Sequence, residues 1–204
     1  EFGYALYEAT VTTVDNNPVL TVENVRDYAA VYVDGKLQGC ITEERKSITL
    51  QVSAGKHMLQ LYVENIGRIT YGPEILDNSK GLFGSITLSD MEIGNWRMIP
   101  LLVRDCAVGE LAFMPQTGGG LPCFYKGIFT VETPGEIYLD VSGWGMGEVW
   151  VNGHYAGSYW EQNAQQSIQL PVEVLQKGAN SLIVFELKSN GKCTMHLSNK
   201  AVFN

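Results

Sequence analysis

Four kinds of side chain in this sequence could do chemistry: carboxylates, imidazoles, thiols and a crowd of aromatic rings. Seven acids, Glu64, Glu74, Asp77, Asp140, Glu148, Glu161 and Glu186, fall at strand ends and turns. Cleaving a glycoside takes two carboxylates about 5 Å apart for retention and somewhat farther apart for inversion, and no motif here pairs any two of them. Solvated positions on turns and strand ends are the expected use. His57, His154 and His196 have no nucleophile or acid in a frame for triad or metal chemistry, which leaves surface and hairpin positions for them. Cys40, Cys106, Cys123 and Cys193 contain no CxxC pair and no histidine at ligand spacing, so they read as thiols rather than a zinc site. Cys106 and Cys123 bracket a glycine-rich loop, and an oxidising compartment could bridge them. The aromatics Trp144, Trp150, Tyr155, Tyr159 and Trp160 crowd into one segment. Exposed rings of this kind stack on sugars, and the same rings fill sandwich cores. Trp150 sits between Val149 and Val151 on an alternating strand, so it faces away from both valines. One of these sets therefore lies outside the sheet's inner layer.

Composition narrows the partners. The 204 residues are 45% hydrophobic, enough for one large or two small cores. A formal net charge of −8 and a pI near 4.9, with no basic stripe, argue against nucleic acid and anionic membrane. No apolar run is long enough to span a bilayer. The opening EFGYALYEAT lacks the pattern of a signal peptide, so a mature or excised fragment is expected. The absence of any Asn-x-Ser/Thr acceptor points towards a bacterial periplasmic or secreted origin.

The elements that must position these residues are strands. YALYEATVT, ITLQV, HMLQLYVEN, GSITL, GIFTV, EIYLDV, EVWV, SIQL and SLIVFEL alternate with period two and are separated by turn residues. Only PVEVLQKG, residues 171–178, has a helical look, as a connector of two turns starting at Pro171. VYVDGKLQG and GEVWVNGHYAG are the same hairpin written twice. Asp34-Gly35 and Asn152-Gly153 supply the positive φ angles of a two-residue turn, with both glycines expected in the left-handed region. After each hairpin come a short alternating strand, a glycine turn (Gly55; Gly178) and a long strand, in the same order with a small insertion. The repeat is of a domain. The expected fold is all-β: two tandem antiparallel β-sandwiches, residues 1–105 and 123–204, joined through residues 106–122.

The runs FGYALYEATV, VRDYAAVYVDGKLQG, LYVENIGRITYGPEILDNSKGLFGSITL, GWGMGEVWVNGHYAGSYW and QQSIQLPVEVLQKGANSLIVFEL resemble, in order and over nearly the whole chain, the C-terminal all-β region of glycoside hydrolase family 35 β-galactosidases. The most specific blocks are VENIGRITYG with KGLFGSITL, and WVNGHYAGSYW. The resemblance implies galactose-binding-like jelly rolls that pack around a catalytic TIM barrel of the same polypeptide. That barrel supplies both catalytic glutamates, removes terminal β-linked galactose with retention and needs no cofactor. The chain departs from the family phrase at Gly157-Ser158-Tyr159-Trp160, where an arginine usually stands at the serine position, and at Asn163-Ala164-Gln165-Gln166, where Gly-Pro-Gln is usual.

What the resemblance implies for sites is a noncatalytic role, with no catalytic residue and no metal ligand in this chain. Tyr71, in the loop it shares with Arg68, is placed near the mouth of the barrel and shapes its acceptor side, or else the two hold the loop or the barrel interface. Tyr155, Tyr159 and Trp160 are the candidates if the chain is instead an autonomous module for galactose-containing carbohydrate. A structural subunit-contact domain is the third reading.

Overall fold

The computed structural model describes residues 3–67, 71–73, 75, 77, 79–115, 121–188, 191, 192 and 194–204. The chain divides into two compact units, Glu1–Val103 and Arg104–Asn204. The first contains β1 (Gly3–Thr13), β2 (Val19–Arg26), β3 (Tyr28–Val33), β4 (Lys36–Thr42), β5 (Ser47–Thr49), β6 (Gly55–Asn65), β7 (Gly81–Leu88), β8 (Met91–Glu92) and β9 (Arg97–Leu101). They form two antiparallel sheets, in the orders β4-β3-β6-β1-β9 and β5-β2-β7-β8. Inward residues of both sheets, among them Val31, Leu59 and Leu61 from one and Leu20, Val22 and Ile86 from the other, make a single core.

The second unit contains β10 (Cys123–Val131), β11 (Tyr138–Asp140), β12 (Met146–Val151), β13 (His154–Trp160), β14 (Ser167–Gln169), β15 (Gly178–Glu186) and β16 (His196–Ser198). Its sheets run β10-β15-β12-β13 and β14-β11-β16, again antiparallel, around a core that includes Leu139, Val149, Val151, Leu170 and Val184. Both units are β-sandwiches, and each strand of the second has a counterpart in the first: β13-β12-β15-β10 matches β4-β3-β6-β1, and β14-β11-β16 matches β5-β2-β7, with edge strands β8 and β9 added in the first unit.

The duplication reaches individual atoms. In each unit the hairpin turn has positive φ at both central residues, 48° and 76° at Asp34 and Gly35 and 51° and 83° at Asn152 and Gly153, which is the two-residue turn that matches strand twist. The first turn residue then grips the neighbouring long strand. Asp34 donates its N–H to Met58 O (3.0 Å) and accepts Met58 N–H on Oδ1 (2.9 Å). Asn152 donates to Ser181 O (2.9 Å) and accepts Ser181 N–H on its side-chain oxygen (2.8 Å). Each hairpin carries a bulge at the same place, between Val31 and Tyr32 and between Val149 and Trp150. The glycine beside it makes room for an isoleucine of the facing sheet. A Cβ on Gly39 would stand 2.6 Å from Ile48 Cδ1, and one on Gly157 3.3 Å from Ile168 Cγ2.

One expectation changes, and the cysteine pairing that the sequence left open is answered. Residues 171–178 form a single 3-10 turn, Val172–Val174, without a side-chain cap, and Gly178 opens β15 rather than closing a helix. Two β-branched residues in so short a stretch, with no cap, do not sustain a helix. Cys106 and Cys123 form no disulfide, and Cys40 is likewise unbridged; Cys193 lies outside the described residues.

The Asn152-Gly153 turn gives a direct test. A Cβ on Gly153 meets nothing within 4 Å, so replacing the glycine penalises only the backbone angle. Gly153→Val is expected to destabilise the second sandwich by roughly 1 kcal/mol or more, because a β-branched residue resists positive φ. Thermal denaturation reads it; an unchanged midpoint contradicts the turn geometry.

Candidate functional site

The residues with chemical potential converge on the β12–β13 corner of the second unit. Alternation along β12 sends Val149 and Val151 into the core and Glu148 and Trp150 to the opposite face, yet every residue of the strand is buried. On β13, Tyr155 lies across from Trp150 and Trp160 across from Met146, while Tyr159 lies across from Gly147 on the core side. The three aromatics expected to act together are thus divided between two faces. Tyr159 is a core residue: its hydroxyl donates to Phe185 O (3.0 Å) and meets Glu186 Oε2 (3.2 Å), and its ring stands edge-on to Trp144 at 6.5 Å. Burial, reinforced by the Glu186 carboxylate, pushes its ionisation well above the ordinary phenol range. Trp144 is buried too, its indole N–H donating to Thr194 O (3.0 Å). Trp160 is half-buried, and only Tyr155, 44% exposed, offers a ring to solvent.

The acids also differ from expectation. Glu64, Glu148 and Glu186 are buried, not solvated, because strand pairing carries them inside. Glu186 accepts the N–H groups of Gly145 (2.9 Å), Met146 (3.2 Å) and Lys188 (2.8 Å) besides the Tyr159 hydroxyl. The space is opened by glycines: a Cβ on Gly145 would come within 2.9 Å of Glu186 Oε1, and one on Gly147 within 2.8 Å of Tyr159 Oη. Glu148, fully buried, accepts Arg104 Nε–H (2.8 Å) and the Tyr155 hydroxyl (2.6 Å). The two carboxylates sit one step apart on adjacent strands, Gly147 facing Glu186 and Glu148 facing Phe185, so they project from opposite faces of the sheet. A glycoside bond needs both acids on one open cleft. The others serve locally: Asp140 caps Ser142 N–H (2.9 Å), Asp77 pairs with Arg26 (3.0 Å), and Glu161 with Lys188. Glu74 lies outside the described residues.

In the first unit the loop between β6 and β7 carries Tyr71, 92% exposed; Arg68 lies outside the described residues. Asp27 ties the neck of this loop. Its carboxylate accepts Ile66 N–H (2.9 Å) where the chain leaves β6 and both contacts of the Lys80 ammonium (2.7 Å each) where it returns. Next to it Arg26 holds Asp77, whose carboxyl is kept below the usual range first by Ser79 and then by the guanidinium. Asp27 and Lys80 are positioning residues that strand alternation could not single out.

Residues 1–102 match the family described as "Beta-galactosidase, first all-beta domain", and residues 122–180 match "Beta-galactosidase, galactose-binding domain". Among curated relatives, the "Beta-galactosidase" of Xanthomonas manihotis is 34% identical over 83% of this chain and 28% of its own length. Human "Beta-galactosidase-1-like protein 2" is 32% identical over 91% and 29%, and human "Beta-galactosidase" 32% over 92% and 31%. The chain thus spans under a third of these relatives.

If Glu186 is an internal tie, removing it should unfold rather than inactivate. Glu186→Ala leaves three sealed N–H groups without their acceptor and is expected to cost about 3 kcal/mol in urea unfolding, whereas Glu132→Ala at an exposed position costs under about 0.5 kcal/mol. Equal small losses would contradict the assignment.

Proposed function

The chain belongs to the β-galactosidase family of all-β domains, and on that premise we propose that it is the noncatalytic C-terminal part of a retaining glycoside hydrolase family 35 β-galactosidase. Its two sandwiches scaffold the catalytic barrel of the same polypeptide and shape the acceptor side of that barrel's site. The whole enzyme takes terminal β-linked galactose from galactose-containing carbohydrate, as a periplasmic or secreted bacterial protein. The observation that carries the reading is the coverage. Two β-galactosidase domain families match in order along a chain that spans under a third of relatives named β-galactosidases. The acids support it, since Glu148 and Glu186 are committed to internal hydrogen bonds on opposite faces of one sheet.

Tyr71 is the acceptor-side residue in this proposal, with Arg68 as its neighbour. An exposed tyrosine on a loop tied at its neck presents an apolar ring with a hydroxyl at the tip, and it has few rotamers to freeze on binding. In the full polypeptide, Tyr71→Ala is therefore expected to lower kcat/KM several-fold more on a galactose-containing disaccharide than on an aryl β-galactoside, which has less acceptor surface to lose. Equal losses on the two substrates would assign Tyr71 to the fold or the barrel interface, and no loss on either would remove it from the site.

A further inference from the structure

The grip of the hairpin turn is duplicated, but its chemistry is not. Register pairs His57 of β6 with Val11 and Asn180 of β15 with Phe129, and the next residues, Met58 and Ser181, are those gripped by Asp34 and Asn152. His57 and Asn180 are therefore the same position in the two units. Each ties the turn residue to the same backbone carbonyl, two residues before the glycine that opens the long strand. In the second unit Asn180 accepts the Asn152 amide N–H on Oδ1 (2.8 Å) and donates to Gln176 O (2.8 Å) and Gly178 O (3.0 Å). In the first, His57 Nδ1 meets Asp34 Oδ2 at 2.7 Å and Nε2 meets Ser53 O at 2.8 Å.

An amide carries donors and an acceptor without charge, so the Asn152–Asn180 tie is the same in acid and in alkali. The imidazole has no such freedom. Ser53 O is a carbonyl and can only accept, so Nε2 must donate; the Asp34 carboxylate also only accepts, so Nδ1 must donate. Only the imidazolium satisfies both, and a neutral ring turns one nitrogen lone pair towards an oxygen. The His57 side chain is 12% exposed, which keeps the ring between its two acceptors. Few charges act on the pair. Asp34 acts on His57, and Lys36 at the start of β4 acts with His57 on Asp34; the facing strand presents Val11, and the connector 50–54 contains no titratable residue.

We propose that Asp34, His57 and Ser53 form a pH-gated clasp of the first sandwich, closed in mildly acidic surroundings and slackened above neutrality, while the second sandwich carries the same clasp in a form that pH does not move. The bond to Asp34, then that to Ser53, raises the His57 pKa above its ordinary 6.5, and the bond to His57 lowers that of Asp34 below its ordinary 3.8. The histidine contribution is thus whole below about pH 6.5 and is lost as pH rises through the raised value. The aspartate contribution is whole above about pH 4 and is lost as pH falls through the lowered value. Both act together between those limits. The clasp belongs to the first sandwich alone and does not rest on the role given to Tyr71.

Amide exchange in isotope-labelled chain of all 204 residues tests it. The N–H of Met58, bonded to Asp34, is followed against that of Ser181, bonded to Asn152, in one sample, so that the base catalysis common to both cancels. Between about pH 6 and about pH 9 the protection of Met58 is expected to fall several-fold relative to that of Ser181, in step with the ring signals of His57. His57→Asn, which writes the second unit's residue into the first, should make the ratio level. Asp34→Asn, with the residue type that already serves at 152, should move the fall to lower pH, and it carries the test if His57→Asn loses the native melting transition. A wild-type ratio that stays level while His57 titrates, or a fall that persists unchanged in a folded variant, would overturn the clasp.

Discussion

The grip of a hairpin turn on its neighbouring strand is the interaction on which both sandwiches rest. Asn152 closes a two-way bond with Ser181 in β15 and uses its amide nitrogen on Val174 O and Asn180 Oδ1, 2.8 Å each. Asp34 does the same to Met58 in β6, and its other oxygen meets His57 Nδ1 at 2.7 Å while His57 Nε2 meets Ser53 O at 2.8 Å. Two acceptors on one imidazole favour its doubly protonated form: the bond to Asp34, then that to Ser53, raises the His57 pKa, and the same bond lowers that of Asp34. With the turn held, β3 and β12 are fixed as interior strands of their sheets, flanked on both sides and buried along their length. Bulge, glycine and facing isoleucine then fall into place in both units.

On this frame the second unit adds a polar interior that the first lacks at the same corner. Glu186 draws three backbone N–H groups and a phenol together through gaps left by Gly145 and Gly147, and so it stitches β12, β13 and the end of β15. Glu148 works outward instead, tying Arg104 and Tyr155 to the rim. In a low dielectric such charge-assisted bonds are strong when every partner is present and costly when one is missing. That is why these acids are mortar. Their donors already occupy the lone pairs that a reacting sugar would need.

The hairpins and the domain repeat were legible in the sequence, because Asp-Gly and Asn-Gly between alternating apolar residues specify a turn locally. Strands defined by pairing alone were not. Edge strand β9 contains Pro100, which an edge tolerates but which breaks the pattern, and β16 is three residues long. The helical look of residues 171–178 came from a proline and a glycine whose roles are a turn start and a strand start. Carboxylate burial was invisible because it depends on which face of a sheet a residue takes; the signal nearest to it was Gly145 and Gly147 flanking Met146. The aromatic cluster was legible only as a segment; the bulge and the alternation on β13, which no composition reveals, separate Tyr155 from Tyr159. Tyr71 is singled out only by the family phrase, while Asp27 and Lys80, which hold its loop, are not part of any local pattern.

The account stands on the claim that the acids of this chain hold it together and do not cleave glycosides. Hydrolysis of an aryl β-galactoside by the 204-residue chain alone, measured beside the full polypeptide, tests that most directly. The chain is predicted to release no aryl alcohol above the buffer rate while the full polypeptide turns over; turnover by the chain that disappears on Glu148→Gln or Glu186→Gln would contradict the account.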